Sequence, residues 1–320
     1  MRLVKLSLTI IAMTCPNAFA QDASWKAAFA PLPQQADSAE NPITPQKIAL
    51  GKRLYLDPQL SKDGTVSCNS CHNLKTFGVD NEPTSPGHKG QRGGRNSPSS
   101  FNAALHATQF WDGRAATVEK QALGPILNPI EMAMPSEAAV IERLKKDKSY
   151  PTEFSAAFPG EKDPVTYANV GNAIGAFERT LITPSRFDEF LKGKDDALTP
   201  AEKKGAQLFV QTGCTACHLG ATLGGMMFQK LGLVKPYPTK DLGRFEVTKN
   251  ETDKMVFKVP SLRNGAKTGP YFHDGSVKTL NEAVSIMAEY QLGKKLTPEQ
   301  VGEIVTFLNS LTATDTSKLM

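Results

Sequence analysis

The sequence predicts an all-α fold made of two related domains with long irregular loops. Thr-Pro pairs start apolar-periodic runs at Thr44, Thr199 and Thr297. Threonine is a good N-cap and proline suits the first helical turn, so each pair predicts a helix start. Few runs alternate between apolar and polar residues as half-buried strands do. Segments of the first half also recur in the second half.

Two of these helix starts have a further signal. Glu202 follows Thr199, and Gln300 follows Thr297, at the three-residue spacing of a capping box. Between the helices lie stretches rich in Gly, Pro and Asn, such as residues 83–100 and 213–241. Loops of this length usually carry function or wrap a ligand.

The recurring segments define the predicted domains. Phe110-Trp111-Asp112-Gly113 resembles Phe272-His273-Asp274-Gly275, and a Pro-Ser pair precedes each, although the spacings of the repeated features match only roughly. We predict a first domain at residues 21–183 and a second at residues 184–320, joined by a polar stretch with Pro and Gly.

Residues 1–20 have the pattern of a secretory signal peptide. Arg2 and Lys5 precede a short apolar run, and residues 18–20 form the small-x-small pattern of a cleavage site. The run is too short to span a bilayer, and no other segment is apolar enough to do so. A buried N-terminal helix is the alternative. We therefore expect an exported protein without a membrane span.

The charge argues against nucleic acid as a partner. Without Arg2 and Lys5, the chain has 35 basic side chains against 32 acidic ones, a net charge of +3. Its Lys and Arg residues are scattered along the sequence, whereas a nucleic-acid-binding protein concentrates them on one face.

The four cysteines beyond the signal form two Cys-x-x-Cys-His motifs. They are Cys68-Asn69-Ser70-Cys71-His72 and Cys214-Thr215-Ala216-Cys217-His218. Two thiols one turn apart can each add to a vinyl group of haem, and the adjacent His then reaches the iron. Disulfides, zinc or a redox dithiol are the alternatives. None of them requires a His directly after both pairs, so we predict two covalently attached c-type haems.

The second axial ligand of each iron decides the function. Met287 is a candidate because it lies downstream of His218 on an amphipathic segment, although a Met at helical spacing is also typical of core packing. Met226, Met227 and Met255 compete with it. His88 lies in a glycine-rich loop, where an exposed histidine without a ligand role is the alternative. His106 and His273 are ambiguous in the same way.

With these motifs, the chain resembles the bacterial dihaem cytochrome c peroxidases over residues 43–311. The resemblance rests on Pro86-Gly87-His88, Phe110-Trp111-Asp112-Gly113-Arg114-Ala115, Asn128-Pro129-Ile130-Glu131-Met132, Tyr271-Phe272-His273-Asp274-Gly275-Ser276 and the Met287 segment. It implies two cytochrome-c-like domains, each with one covalently bound c-type haem. It also implies a periplasmic homodimer.

The resemblance assigns the first haem, on Cys68, Cys71 and His72, as the low-potential site that reacts with peroxide. His88 would be its removable distal ligand. Gln121 and Glu131 would face bound peroxide, and Trp111 would lie between the haems.

The second haem, on Cys214, Cys217 and His218, would be the high-potential entry point for electrons, with Met287 as its distal ligand. The resemblance also implies a calcium site between the domains. Its ligands would be Asn96, Thr268 and Pro270. His106 and His273 are taken as structural.

The implied reaction reduces hydrogen peroxide to water with electrons from a small donor protein, either a cytochrome c or a cupredoxin. A carboxylate such as Glu131 suits the proton transfer that O–O cleavage needs. A His on a Gly-rich loop can leave its ligand position with little backbone strain.

Two other functions compete with this interpretation. A MauG-like dihaem oxidase, which matures methylamine dehydrogenase, would use a Tyr as the second haem's distal ligand, and Tyr290 lies three residues after Met287. A plain dihaem electron carrier would need permanent ligands on both irons and no pocket carboxylate. Glu131, Gln121 and the long loops argue against the carrier.

Overall fold

The computed structural model describes residues 25–319, so the predicted signal peptide and Cys15 lie outside the described residues. Helices dominate, as predicted. The first half contains helices Pro45–Leu56, Cys68–Cys71, Val118–Leu127, Glu137–Lys146, Ser149–Ala157 and Tyr167–Glu178. The second half contains helices Arg186–Leu191, Pro200–Thr212, Phe245–Thr248, Leu280–Leu292 and Pro298–Ser310. Two short strands, Phe228–Lys230 and Val256–Lys258, pair antiparallel.

The predicted helix starts are confirmed. Thr44, Thr199 and Thr297 are N-caps whose side chains accept hydrogen bonds from backbone N–H groups of the first turn. The capping boxes that pair Thr199 with Glu202 and Thr297 with Gln300 are both formed. None of the helices within residues 25–319 is long and apolar enough to cross a membrane.

Each half has its own apolar core, built around one close pair of helices. In the first half, Pro45–Leu56 packs on Tyr167–Glu178, and in the second half, Pro200–Thr212 packs on Pro298–Ser310. A glycine lies at each crossing. A Cβ on Gly51 would come within 1.8 Å of the Ala173 carbonyl oxygen, and one on Gly205 within 2.0 Å of the Glu303 oxygen. The helix backbones therefore touch directly.

The first described segment does not follow the predicted domain boundary. Trp25 and Phe29 belong to the core of the second half, where Trp25 stacks on Phe190 with 5.7 Å between ring centroids. The Gly220 N–H also donates to the Ala28 carbonyl. The N-terminal segment thus crosses over to the second domain before the first domain begins.

The repeat is more regular than the sequence spacing suggested. From residue 96 to residue 117, each residue has its counterpart 162 positions later, as Phe110 and Phe272 illustrate. The two phenylalanines share a left-handed backbone, with φ of 66° and 69°. The halves meet at Thr183, whose hydroxyl accepts hydrogen bonds from both Asn102 and its counterpart Asn264, at 2.7 and 2.9 Å. Equivalent residues of the two halves therefore bind the same hydroxyl group.

Candidate functional site

The first Cys-x-x-Cys-His motif forms one helical turn that ends at a constrained histidine. Ser67 and Ser70 form a capping box at the start of helix Cys68–Cys71. Nδ1 of His72 lies 2.9 Å from the Pro98 carbonyl oxygen, which makes Nδ1 the protonated nitrogen. Burial lowers the pKa of His72, so the ring is neutral. Nε2 therefore keeps the lone pair that an iron ligand needs.

The second motif has the same arrangement. Its 3₁₀ turn Cys214–Ala216 follows helix Pro200–Thr212, which ends at the left-handed Gly213. Nδ1 of His218 lies 2.9 Å from the Leu223 carbonyl oxygen, and burial lowers the pKa of His218 as well. Both histidines are thus oriented and neutral, as proximal ligands must be.

A cavity of about 270 Å³ adjoins the second motif. Cys214, Cys217 and His218 line it, together with Met287 and a largely apolar wall. The four cysteines beyond residue 24 are free thiols, which argues against two disulfides. Within residues 25–319, no cluster of three or more His, Cys, Asp or Glu side chains is placed to hold a metal ion. The donor set and the cavity fit a c-type haem.

The cavity distinguishes Met287 from Tyr290. Both lie on helix Leu280–Leu292, but Met287 lines the cavity beside His218, and Tyr290 does not. The Tyr290 ring packs on Tyr237 instead, with 5.9 Å between ring centroids. Met226, one of the competing methionines, is exposed. Met287 thus lines the cavity that His218 also lines, whereas Tyr290 and the competing methionines do not.

His88 is buried rather than exposed, although its loop is rich in glycine. Its backbone N–H donates to the Glu131 carbonyl at 2.7 Å, and its Nδ1 lies 3.1 Å from a carboxylate oxygen of Asp63. Gly87 allows this close approach, because a Cβ there would come within 2.1 Å of the Ile130 carbonyl oxygen. The two segments that carry His88 and Glu131 are therefore joined through their backbones.

The Glu131 side chain is half-buried near the first motif, where its charge acts on Cys71. Burial raises the pKa of Glu131, against opposing effects of Arg114 and of a 2.7 Å hydrogen bond from Asn128 Nδ2. A carboxyl group with a raised pKa is suited to both accept and donate a proton. Gln121 is half-buried on helix Val118–Leu127, ten residues before Glu131.

Trp111 joins the two halves of the molecule. Its indole Nε1 donates to the Asn96 carbonyl at 2.9 Å, and its own carbonyl accepts from the Lys258 N–H at 2.8 Å. The side chain lines the cavity of the second motif. It thus lies at the boundary between the domains.

Asn96, Thr268 and Pro270 line the same cavity. Asn96 donates through Nδ2 to the carbonyls of Glu82 and Pro83, at 3.0 and 3.3 Å, so its Oδ1 is the atom that a cation would use. Oxygen ligands of this kind suit calcium. His273 is buried, with Nε2 3.0 Å from the Thr239 hydroxyl and its ring stacked on Phe257.

The sequence did not single out two functional candidates. Asp63 is paired with His88, but it lies in a short turn with no motif of its own. Lys258 is a buried lysine on a strand of only three residues. The only available signal for Lys258 is its position 162 residues after Asn96 in the repeat.

This fold, with one oriented Cys-x-x-Cys-His motif in each half, defines a two-domain c-type cytochrome. Residues 45–196 match the family model for di-haem cytochrome c peroxidase, and residues 202–312 match that for cytochrome c. The cytochrome c551 peroxidase of Pseudomonas aeruginosa is 48% identical over 89% of this chain and 84% of that protein. The methylamine utilization protein MauG of Methylorubrum extorquens is 36% identical over 83% of this chain and 74% of that protein.

A solved structure of a MauG-like protein associated with microbial copper homeostasis superposes with a TM-score of 0.77 at 30% identity. The match covers 89% of this chain and 94% of that one. The chain therefore belongs to the di-haem cytochrome c peroxidase family, which confirms the resemblance drawn from its motifs. The two cytochrome-c-type domains and the two c-type haems follow from that membership.

Proposed function

We propose that this protein reduces hydrogen peroxide to water with electrons from a small redox protein such as a cytochrome c. One peroxide, two protons and two electrons give two waters. The observation that carries the proposal is the inequality of the two motifs. The first has a half-buried carboxyl, Glu131, and a buried loop histidine, His88, while the second has a thioether, Met287, in an apolar cavity.

When bound, the haems supply the iron coordination and the electrons for cleavage of the O–O bond. His72 and His218 hold and orient them through Nε2, because a backbone carbonyl fixes the Nδ1 proton of each. Cys68, Cys71, Cys214 and Cys217 provide the covalent attachment.

His88 controls access to the first site. Its loop contains Gly87 and Gly90, and glycine lets the backbone change conformation with little strain. Asp63 is exposed enough to hold the imidazole once it has turned away, and the 3.1 Å pair in the structure supports that role. The hydrogen bond from the His88 N–H to the Glu131 carbonyl links this movement to the catalytic carboxyl.

Glu131 accepts a proton from one oxygen of peroxide and donates it to the other oxygen, which leaves as water. Its raised pKa makes proton acceptance and donation both accessible. Asn128 holds one carboxylate oxygen, so the other is available to substrate. Gln121 orients the peroxide by hydrogen bonding.

The second site receives electrons from the donor. Met287 would hold the second haem through its thioether, and because a thioether ligand favours reduced iron, this haem would accept the electrons of the donor. Trp111, which contacts both halves of the molecule, would provide an aromatic ring for electron transfer from the second haem to the first. Its fixed indole, held by the Asn96 carbonyl, maintains that position.

The remaining parts of the proposal rest on resemblance to the family. The mature protein is a periplasmic homodimer that is exported by the signal at residues 1–20. The donor is a small cytochrome c or a cupredoxin. Calcium bound by Asn96, Thr268 and Pro270 couples the two domains.

The test is peroxide-dependent oxidation of a reduced cytochrome c by the half-reduced dihaem protein. Turnover with a stoichiometry of two cytochromes per peroxide supports the proposal. Absence of turnover in a protein whose spectrum shows both haems would contradict it. The MauG-like alternative is disfavoured because Tyr290 does not reach the cavity.

A further inference from the structure

We propose that Lys258 and His106 form a carboxylate-binding pair that holds a propionate of the second haem and raises the potential of that haem. The inference rests on the proposed function for the presence of the haem, but it assigns roles to two cavity residues that the proposed reaction does not use.

Lys258 is a buried cation without a described carboxylate partner. Only 5% of the residue is exposed, and both Lys258 and His106 line the cavity of the second motif. The Lys258 Nζ lies 3.2 Å from Nδ1 of His106. No Asp or Glu within residues 25–319 forms an ion pair with it. A buried ammonium group is costly unless an anion compensates it, so the cavity must admit one.

The contact with Lys258 fixes the tautomer of His106. An ammonium group only donates, so it donates to Nδ1, and the ring proton must lie on Nε2. Burial lowers the pKa of His106 well below its usual value, and the nearby ammonium lowers it further, which keeps the ring neutral. Burial also lowers the pKa of Lys258 to about 8, which leaves it protonated at neutral pH.

The Nε2–H group of His106 is then an unsatisfied donor. Nε2 is buried and has no hydrogen-bond partner among the described residues. The ring cannot easily turn away, since it packs on Gly225, where an added Cβ would lie 2.3 Å from its Cδ2. Both residues line one cavity, and an Nε2–H together with the remaining ammonium protons matches the two oxygens of a carboxylate. A haem carries such groups as propionates.

The repeat gives independent support. Lys258 is the counterpart of Asn96, and His106 is the counterpart of Thr268, at the same offset of 162. Their backbones are equivalent too, because the Asn96 N–H donates to the His273 carbonyl at 2.7 Å and the Lys258 N–H to the Trp111 carbonyl at 2.8 Å. Asn96 and Thr268 are the proposed ligands of a calcium ion. At the equivalent place in the repeat, the Lys258 side chain therefore supplies the positive charge that calcium would supply beside Asn96 and Thr268.

The experiment measures the midpoint potential of the second haem in the dihaem protein by spectroelectrochemical titration. A positive charge close to the iron favours its reduced form, so Lys258→Met lowers the potential. We expect at least about a tenfold loss in the equilibrium constant for reduction, which is 59 mV for one electron. Lys258→Arg keeps most of the potential because it keeps the charge. Lys278→Met removes an exposed lysine of the same domain and serves as the control.

A second measurement detects the contact itself. In the resonance Raman spectrum, His106→Phe shifts a propionate band, and His106→Gln restores it because the amide nitrogen replaces Nε2–H. If Lys258→Met fails to retain haem, this pair of variants still decides the question.

An unchanged potential in Lys258→Met together with an unchanged propionate band in His106→Phe would overturn the inference. If such variants still reduce peroxide, the proposed function stands. Conversely, a lowered potential in a protein that reduces no peroxide supports the pair and contradicts the function.

Discussion

Glu131 is the residue on which the proposed chemistry depends most. General acid–base catalysis contributes about 10²–10⁴-fold, so Glu131→Gln should lower the peroxide turnover rate by about 100-fold or more. The measurement is steady-state oxidation of reduced cytochrome c by peroxide. Glu142→Gln is the matched control, because Glu142 is an exposed carboxylate that pairs only with Lys146. Full turnover by Glu131→Gln would exclude the acid–base role.

The pH dependence of turnover tests the same residue. Burial raises the pKa of Glu131. The ionised form is the proton acceptor, so activity is present above this pKa and is lost as the pH falls through it. The acidic limb of the rate profile should therefore lie above the ordinary glutamate value of about 4.3. A limb at or below that value, or one that persists in Glu131→Gln, would contradict the assignment.

Met287 and Tyr290 provide a second comparison at the scale of single residues. Met287→Ala should abolish the six-coordinate low-spin spectrum of the second haem. It should also lower the potential, because the thioether favours reduced iron. Tyr290→Phe should leave both unchanged, since Tyr290 packs outside the cavity. An unchanged second-haem spectrum in Met287→Ala would show that another group is the ligand.

Motifs predicted candidate site residues, but not the polar partners that surround them. Cys-x-x-Cys-His fixes covalent chemistry over five residues, so the sequence alone is sufficient there. Asp63 and His88 meet only because separate loops fold together, and 24 residues, including helix Cys68–Cys71, lie between them. The orientation of His72 likewise depends on the carbonyl of Pro98, which no side-chain pattern reports.

At the scale of elements, each domain is built on a helix crossing that only glycine permits. Gly205→Ala should destabilise the protein by about 1–3 kcal/mol, because its Cβ would lie 2.0 Å from the Glu303 carbonyl oxygen and force the helices apart. Gly302→Ala, on the partner helix, is the matched control, since its Cβ would meet nothing within 4 Å. That change should stabilise by up to about 1 kcal/mol through helix propensity.

Thermal unfolding of the dihaem variants measures both changes. A melting temperature for Gly205→Ala at or above that of Gly302→Ala would show that the helices separate without cost. The sequence predicted the helices themselves well, because Thr-Pro caps and capping boxes act over four residues. The crossings depend on which residues face each other across 90 or more positions, so they were not predictable from local signals.

At the scale of the whole molecule, the two halves are related by a repeat that places different chemistry at equivalent positions. Trp111 corresponds to His273, and Asn96 corresponds to Lys258. The sequence revealed the repeat only roughly, because the offset of 162 is constant near the interface and changes elsewhere. The placement of Trp25 in the second core was not predicted either, since nothing in a short N-terminal segment specifies which domain it covers.

The proposed calcium ion acts at the interface between the halves. The last prediction concerns the removal of this calcium ion. Half-reduction of the calcium-loaded protein should produce a high-spin first haem as His88 leaves, whereas an electron carrier would stay low-spin. Asn96→Ala should require about tenfold more calcium for the same change, equivalent to ~1.4 kcal/mol, because one oxygen ligand of a hard cation is lost. Asn281→Ala removes an exposed asparagine of the second domain and should behave as wild type. A high-spin signal that appears equally in chelator-treated protein and in Asn96→Ala would show that the first site opens independently of calcium. Control would then lie with the hydrogen bond that joins His88 to Glu131.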